Sequence, residues 1–432
     1  MTTTHPTAAD PSGMKVPAID ELRTIDDLDV EGERVLLRAD LDVPLAQIPG
    51  DGRLHVADVS RLRAALTTIE ELRRRGARLV IASHLGSPQP DDRSLSMRPI
   101  AERLERLTGV PVPLAPAVVG PEVRALSERL LPGEMLMLEN VRFEPGERRN
   151  DAAFAADLAA LADVYVGDDF RAARRACAST EAVAHQLPAV AGRLIEREVG
   201  ALGALVDEPG RPLVVVLGGG ALREKIGVIQ RFLDLADVVC IGGAISLPFV
   251  ADGGHAVGAT SADPEAVALA RDAVAAAAAS GCRLELPRDI ALAPVGGRDA
   301  STRTWPLDGV AVPEGSRVVD VGPRTAERYA AEVAGAATVF WSGPMGRYDL
   351  APFAAGTYRI ANAVATASAM SVVAGARTIR VLESLGLSDH VSHVSTGGAA
   401  TLQFLEAGEL PGVRALVQPD LSPRAAVSWI GR

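Results

Sequence analysis

The stretch "VVVLGGGALREKIGVI", Val214 to Ile229, decides how the rest of the chain is read. An apolar, β-branched run enters three consecutive glycines, and a helical pattern then carries Lys225. A strand that turns sharply through glycine into a helix aims backbone N–H groups and a helix N-terminus at an anion, so the stretch suits holding phosphate. The 44 basic side chains of the protein include only two lysines, Lys15 and Lys225, so lysine is kept at this loop in a chain that otherwise uses arginine. The arginine bias itself is a trait of a GC-rich genome rather than a functional signal.

At 432 residues the chain has room for two domains with substantial cores. A formal charge of −11 argues against nucleic acid or an anionic membrane as partner, though it permits a local basic cleft. Three cysteines, Cys177, Cys240 and Cys282, are too few and too scattered for a disulfide framework or a zinc site, and fit a reducing cytoplasm. The N-terminus lacks the apolar core of a signal peptide, and no later segment reaches transmembrane length. Residues 1–16 read as a disordered tail.

Upstream of the glycine loop, "RVLLRADLDV", "ARLVIASHLG", "EMLMLENVRF" and "DVYVGDDF" read as strands, with amphipathic helices such as "VSRLRAALTTIEELRRRG" between them. Downstream the alternation restarts with "LVVVLGG", "DVVCIGGA", "RVVDVG", "ATVFWSG" and "MSVVAGA". Apolar strands alternating with helices indicate βαβ units and buried parallel sheets. The expected fold is α/β: two doubly wound parallel-sheet (Rossmann-like) domains, 17–188 and 211–405, joined by a hinge helix over 189–210. Every strand of the second block ends in glycine. In open parallel sheets ligands bind outside the carboxyl ends of the strands, so these glycines mark a nucleotide-type site. Taken singly, each of them is an ordinary strand terminator or helix cap.

The first block puts charge at the same ends of its strands. Asp40 and Asp42 follow "VLLR", His84 follows "LVIAS", Arg142 follows "LMLENV", Arg174 and Arg175 follow "DDFRAA", and Arg61 opens a helix. Each arginine alone is an ordinary solvated residue. Gathered at strand ends, they suit a small anionic substrate, because guanidinium groups bind carboxylate or phosphate in bidentate fashion.

In order along the chain, "RVLLRADLDVPL", "ASHLGSP", "LENVRF", "DDFRAARRACAST", "LGGGALREKIGVI", "DVGPRT", "FWSGPMGRYDLAPFAAGT" and "SHVSTGGAATLQFLEAGELPGV" resemble segments of the phosphoglycerate kinase family. The resemblance implies a two-domain kinase moving phosphoryl between ATP or ADP and the carboxylate of a small acid. It also implies a monomer, with residues 406–432 packing back on the N-terminal domain. By family pattern Asp40, Arg61, His84, Arg142 and Arg175 are expected to hold the acid, with Asp42 and Arg174 beside them. Gly218, Gly219, Gly220, Lys225, Gly343, Pro344, Asp349, Ser395 and Thr396 are expected to hold the nucleotide. Arg61, Lys225, Gly397, Gly398 and Arg377 are expected to serve the transfer itself, Gly397 and Gly398 cradling the phosphoryl group in flight.

Several positions depart from the family pattern. Ala221 stands where a lysine is usual, Arg377 where an aspartate helps hold magnesium, and Asp42 where an asparagine touches substrate. Ser87 stands for an arginine, Ser342 for an asparagine and Cys177 for a histidine. No metal-binding residue is therefore expected, and a need for magnesium stays open because Arg377 replaces the expected acidic ligand; on one reading arginines (Arg377, Arg223, Arg171, Arg174) supply the positive charge that lysine and magnesium usually provide. Loss of a transition-state cation costs about three orders of magnitude in related phosphoryl transfers. Three readings stay open: a carboxylate kinase turned to another acid in specialised metabolism, a ligand-binding protein that has lost transfer, and an ordinary phosphoglycerate kinase.

Overall fold

The computed structural model describes residues 21–47, 50, 52–89, 92–255, 257–259, 263–295, 302–309 and 311–417. The expected tail over 1–16 lies outside the described residues, as does most of 406–432. The described residues divide into two compact units, one formed by those up to Gly200 together with Ala407 to Val417, the other lying within Ala201–Glu406.

The first unit holds β1 (Arg34–Ala39), a hairpin of β2 (Leu45–Gln47) and β3 (Leu54–Val56), then β4 (Arg78–Ala82), β5 (Met135–Met137), β6 (Val164–Asp168) and β7 (Ala189–Ala191). Five of these pair in parallel in the order β5-β4-β1-β6-β7. Strands buried on both faces need continuous apolar runs, and "RVLLRA" and "RLVIA" supply them: Val35, Leu36, Leu37, Leu79, Val80 and Ile81 are all buried. The strand expected over "EMLMLENVRF" stops at Met137. Asn140 ends it by donating to the carbonyls of Leu85 and Leu95 and capping the short turn Val141–Phe143.

The second unit holds β8 (Leu213–Leu217), β9 (Val238–Ile241), β10 (Arg283–Glu285), β11 (Asp289–Pro294), β12 (Arg303–Pro306), β13 (Ser316–Val321), β14 (Thr338–Ser342), β15 (Met370–Ala374) and β16 (His393–Ser395). Six pair in parallel as β10-β9-β8-β14-β15-β16. "RVVDVG" departs from expectation. It forms β13 of a separate antiparallel sheet, β12-β11-β13, although its end still reaches the cavity described below. The alanine-rich helix Pro264–Ser280 is capped by Asp263 and closed by Gly281, and it buries Ala266, Ala270, Ala273 and Ala277 along one stripe. Small residues at that spacing let a helix lie close to its neighbour. Trp341 and Phe340 of β14 are fully buried, and Phe340 meets Phe232 with ring centroids 5.2 Å apart.

In both sheets the chain reverses its winding beside the first strand of the unit: β1 lies between β4 and β6, and β8 between β9 and β14. The crevices outside the carboxyl ends of β1 and β8 are the places where such sheets bind ligands. Beyond β8 and β14 two turns touch. The N–H of Gly218 donates to the carbonyl of Ser342 at 3.0 Å, and that of Gly219 to the carbonyl of Pro344 at 2.8 Å. Gly343 sits at φ +100°, and a Cβ there would run into the carbonyl of Gly218. Gly343→Ala is therefore expected to lower stability by about 2 kcal/mol or more, read as a fall in the midpoint of denaturant unfolding.

Candidate functional site

In the first unit the apolar run of β1 carries straight into Arg38 and Asp40. Arg38 is only 2% exposed. Its guanidinium donates to Ser179 Oγ and Asp169 Oδ2, each at 2.8 Å, and to the Ala39 carbonyl at 3.0 Å. It also bonds His84 Nδ1 at 2.8 Å. A guanidinium can only donate, so Nδ1 is the acceptor and the ring proton sits on Nε2. That nitrogen faces Asp42 Oδ2 at 3.6 Å. Burial holds the His84 pKa well below the usual imidazole range, and Arg38, Arg142, Arg171 and Arg61 push the same way, so the ring is neutral.

Asp40 is buried, and its Oδ1 accepts no hydrogen bond from a described residue. Arg171 stands 3.7 Å from that oxygen and Arg61 stands 4.0 Å from the other. Burial, with Asp169 adding like charge, pushes the Asp40 carboxyl up to about 7 against the pull of Arg171 and Arg61. Asp42 accepts the N–H of Gly86 at 2.8 Å, and Arg61 donates to the Asp42 carbonyl and lies 3.9 Å from its carboxylate. Arg142 donates to the carbonyl of Gly86, and burial followed by Arg38 and Arg148 lowers its pKa. Arg174 ends the turn Ala172–Arg174, its pKa lowered by burial and then by Arg175 and Arg171. The structure thus brings Asp40, Asp42, Arg61, His84 and Arg142 into one network and sets Arg174 and Arg175 beside Arg171.

Arg38 and Asp169 are the residues that sequence reasoning missed. Their signal was a charge inside an apolar parallel strand and a doubled aspartate at the end of "YVGDD". A charge in such a place has to be paired. Ser87 is exposed, whereas Cys177 is half-buried with its thiol pushed up by burial and Glu147.

The second unit contains a cavity of about 510 Å³. Of the expected nucleotide residues, Gly219, Gly220, Pro344 and Asp349 line it, joined by Arg377 and by Asp320, Arg347 and Tyr348, which the sequence reading did not single out. Lys225 lies behind the glycine turn, where its ammonium donates to the carbonyls of Gly218 at 2.6 Å and Ser342 at 3.0 Å. Burial brings its pKa down to about 8; Glu224 opposes that and Arg377 adds to it. Ala221 is exposed. Arg223 donates to Asp263 and Glu265, so its charge is already committed outside the cavity. Asp349 is paired with Arg347 at 3.0 Å. After β16, Gly397 and Gly398 open the helix Ala399–Ala407, with Gly398 at φ +59° and Ser395 bonded to Thr401 at 2.6 Å.

A family model described as "Phosphoglycerate kinase" matches residues 25–408. The chain belongs to the phosphoglycerate kinase family. Among curated members, the phosphoglycerate kinase of Thermomicrobium roseum is 46% identical over 92% of this chain and 100% of its own. That of Moorella thermoacetica is 44% identical over 91% of this chain and 99% of its own. The solved structure of phosphoglycerate kinase from Coxiella burnetii superposes with a TM-score of 0.83 at 34% identity, covering 91% of this chain and 98% of that one. These relatives carry the ordinary phosphoglycerate kinase name, and they lend no support to a changed acceptor, a lost activity or specialised metabolism. Among the described residues, no helix is long and apolar enough to cross a membrane.

Two expectations follow. Arg38→Met leaves the Asp169 carboxylate buried without its partner, which is expected to cost about 3–5 kcal/mol in unfolding free energy. An anion in the second unit's cavity is expected to gain from the Lys225 charge behind the glycine turn only while the ammonium keeps its proton, so phosphate affinity is expected to be highest below pH 8 and to fall as pH rises through it. Titration of ADP against pH, with Lys225→Met losing that dependence, checks the assignment.

Proposed function

We propose that the chain carries out reversible phosphoryl transfer between an adenine nucleotide and the carboxylate of a small acid. The observation that carries this reading is the pairing, in one chain, of a glycine-lined cavity backed by Lys225 with an arginine network around an unsatisfied Asp40 oxygen. In the forward direction a carboxylate oxygen attacks the terminal phosphorus of ATP, a P–O bond forms, the bond to the departing ADP oxygen breaks, and an acyl phosphate results. Arg61 and Arg142 hold the acid, and Asp40 accepts a hydrogen bond from it. The N–H groups of Gly397 and Gly398, at a helix start, receive the phosphoryl oxygens as charge moves. The phosphoryl group is transferred chiefly through positioning and charge neutralisation, so these groups supply what the step needs.

A second reading concerns the acceptor. The relatives' name points to phosphoglycerate. One feature of the acid site, the Asp42 carboxylate, favours an acid with less negative charge, against the positive charge that Arg142, Arg174 and Arg175 keep there. Like charge at Asp42 works against a phosphorylated acid; an uncharged or amine-bearing carboxylic acid suffers no such penalty.

Trapping the acyl phosphate with hydroxylamine tests both readings. The full chain is incubated with ATP and, in separate reactions, 3-phosphoglycerate, glycerate or an amino acid of the same length. Hydroxamate formed faster from glycerate or the amino acid supports the second reading, and hydroxamate formed faster from 3-phosphoglycerate removes it. ADP binding with no hydroxamate from any of the three would leave a binding protein and overturn the transfer. Asp42→Asn is expected to raise kcat/KM for 3-phosphoglycerate by about tenfold, the effect of removing one partly screened charge.

A further inference from the structure

The family resemblance implies magnesium with the nucleotide, and the donors lining the second unit's cavity decide whether a dication fits there. Two acids line it, Asp320 and Asp349. Asp320 accepts the N–H groups of Val321 at 2.9 Å and Gly356 at 2.7 Å, and it lies where Cβ atoms on Gly346 and Gly356 would strike it. Asp349 is held by Arg347. No three His, Cys, Asp or Glu side chains among the described residues gather as ligands. The residues present do not fit a divalent cation held by the protein.

They do fit an anion held without one. Arg377 lines the cavity from the first turn of the helix Ala376–Leu385, beyond the end of β15. That helix starts at Gly375 with no side-chain cap and no acidic residue in its first turn, so its N-terminal N–H groups and partial positive charge are uncompensated. Arg377 is exposed at the cavity and adds positive charge there, and its charge also acts on Asp349, whose carboxyl Arg347 holds first. Its charge acts on Lys225, whose ammonium stands behind the neighbouring glycine turn. An arginine, a lysine and a bare helix start put positive charge on one side of the cavity, and of the acids that line it Asp349 is already taken by Arg347 and Asp320 by backbone N–H groups.

We propose that Arg377 is the countercharge of the nucleotide phosphates, so that this protein binds a nucleoside diphosphate through its own guanidinium and needs no divalent cation to do so. The inference rests on the nucleotide reading given above and deepens it. A planar guanidinium can take two phosphate oxygens at once, which a hydrated magnesium ion does by a different geometry, and it stays charged at every physiological pH.

Isothermal titration of the full-length protein with ADP, once in EDTA and once in magnesium chloride, tests it, with adenosine as a phosphate-free probe. The expected result is an ADP Kd in EDTA within about threefold of that in magnesium. Arg377→Ala is expected to weaken ADP binding in EDTA by about tenfold or more and to leave adenosine binding unchanged. Arg377→Asp is expected to make ADP binding depend on magnesium. Wild-type binding of ADP only with magnesium, or an Arg377→Ala protein that binds ADP in EDTA as wild type does, overturns the inference and leaves the nucleotide reading intact. Failure of both ADP and adenosine to bind in either condition overturns the nucleotide reading, and this inference with it. Unchanged thermal unfolding of the variants guards against loss of fold.

Discussion

The turns that leave β8 and β14 come so close that neither tolerates a side chain at the contact. Gly218 bonds Ser342, Gly219 bonds Pro344, and Gly243 bonds Met345, so three successive loops are tied to one another by backbone alone. This contact places the carbonyls of Gly218 and Ser342 together, and those carbonyls in turn fix the Lys225 ammonium. The cavity of the second unit is the space these tied loops leave over. Its shape therefore depends on hydrogen bonds between main-chain groups, which keep their geometry when exposed side chains nearby change. Ala221 is exposed and Arg377 lines the cavity, and neither takes part in those bonds.

The first unit solves a different problem. Arg38 is a full charge at the end of a buried strand, where an unpaired ion would be very costly. Asp169 at 2.8 Å, the Ser179 hydroxyl, a carbonyl and the His84 ring all receive its donors. The same pairing selects the tautomer of His84 and adds negative charge next to Asp40. The ion pair thereby fixes which nitrogen of His84 carries the proton and adds to the burial that raises the Asp40 carboxyl. The Asp40 Oδ1 atom and one nitrogen of Arg171 are buried there without a hydrogen-bond partner among the described residues.

Ancestry and electrostatics give different information here. Family membership follows from the ordered run of segments and from the superposition, both governed by apolar patterning and backbone turns. The charges at the two crevices are set by a handful of side chains that contribute little to either. A chain can thus share over two-fifths of its residues with relatives named phosphoglycerate kinase while its own Arg377 lines the cavity of the second unit.

The sequence by itself determined the α/β class, the two sheets and the crevices at their carboxyl ends, because period, β-branched runs and glycine punctuation act over a few residues at a time. It also marked Asp40, His84, Arg142, Lys225 and Arg377, each of which lies beside a strand end. Only the tertiary structure decided what those charges do. That "RVVDVG" leaves the parallel sheet, that Arg38 is answered by Asp169 from 131 positions away, and that Arg223 is spent on Asp263 and Glu265 while Arg377 faces the cavity are matters of long-range pairing. Local sequence carries no information about which distant carboxylate reaches a guanidinium first, and a charge acquires its role from that partner.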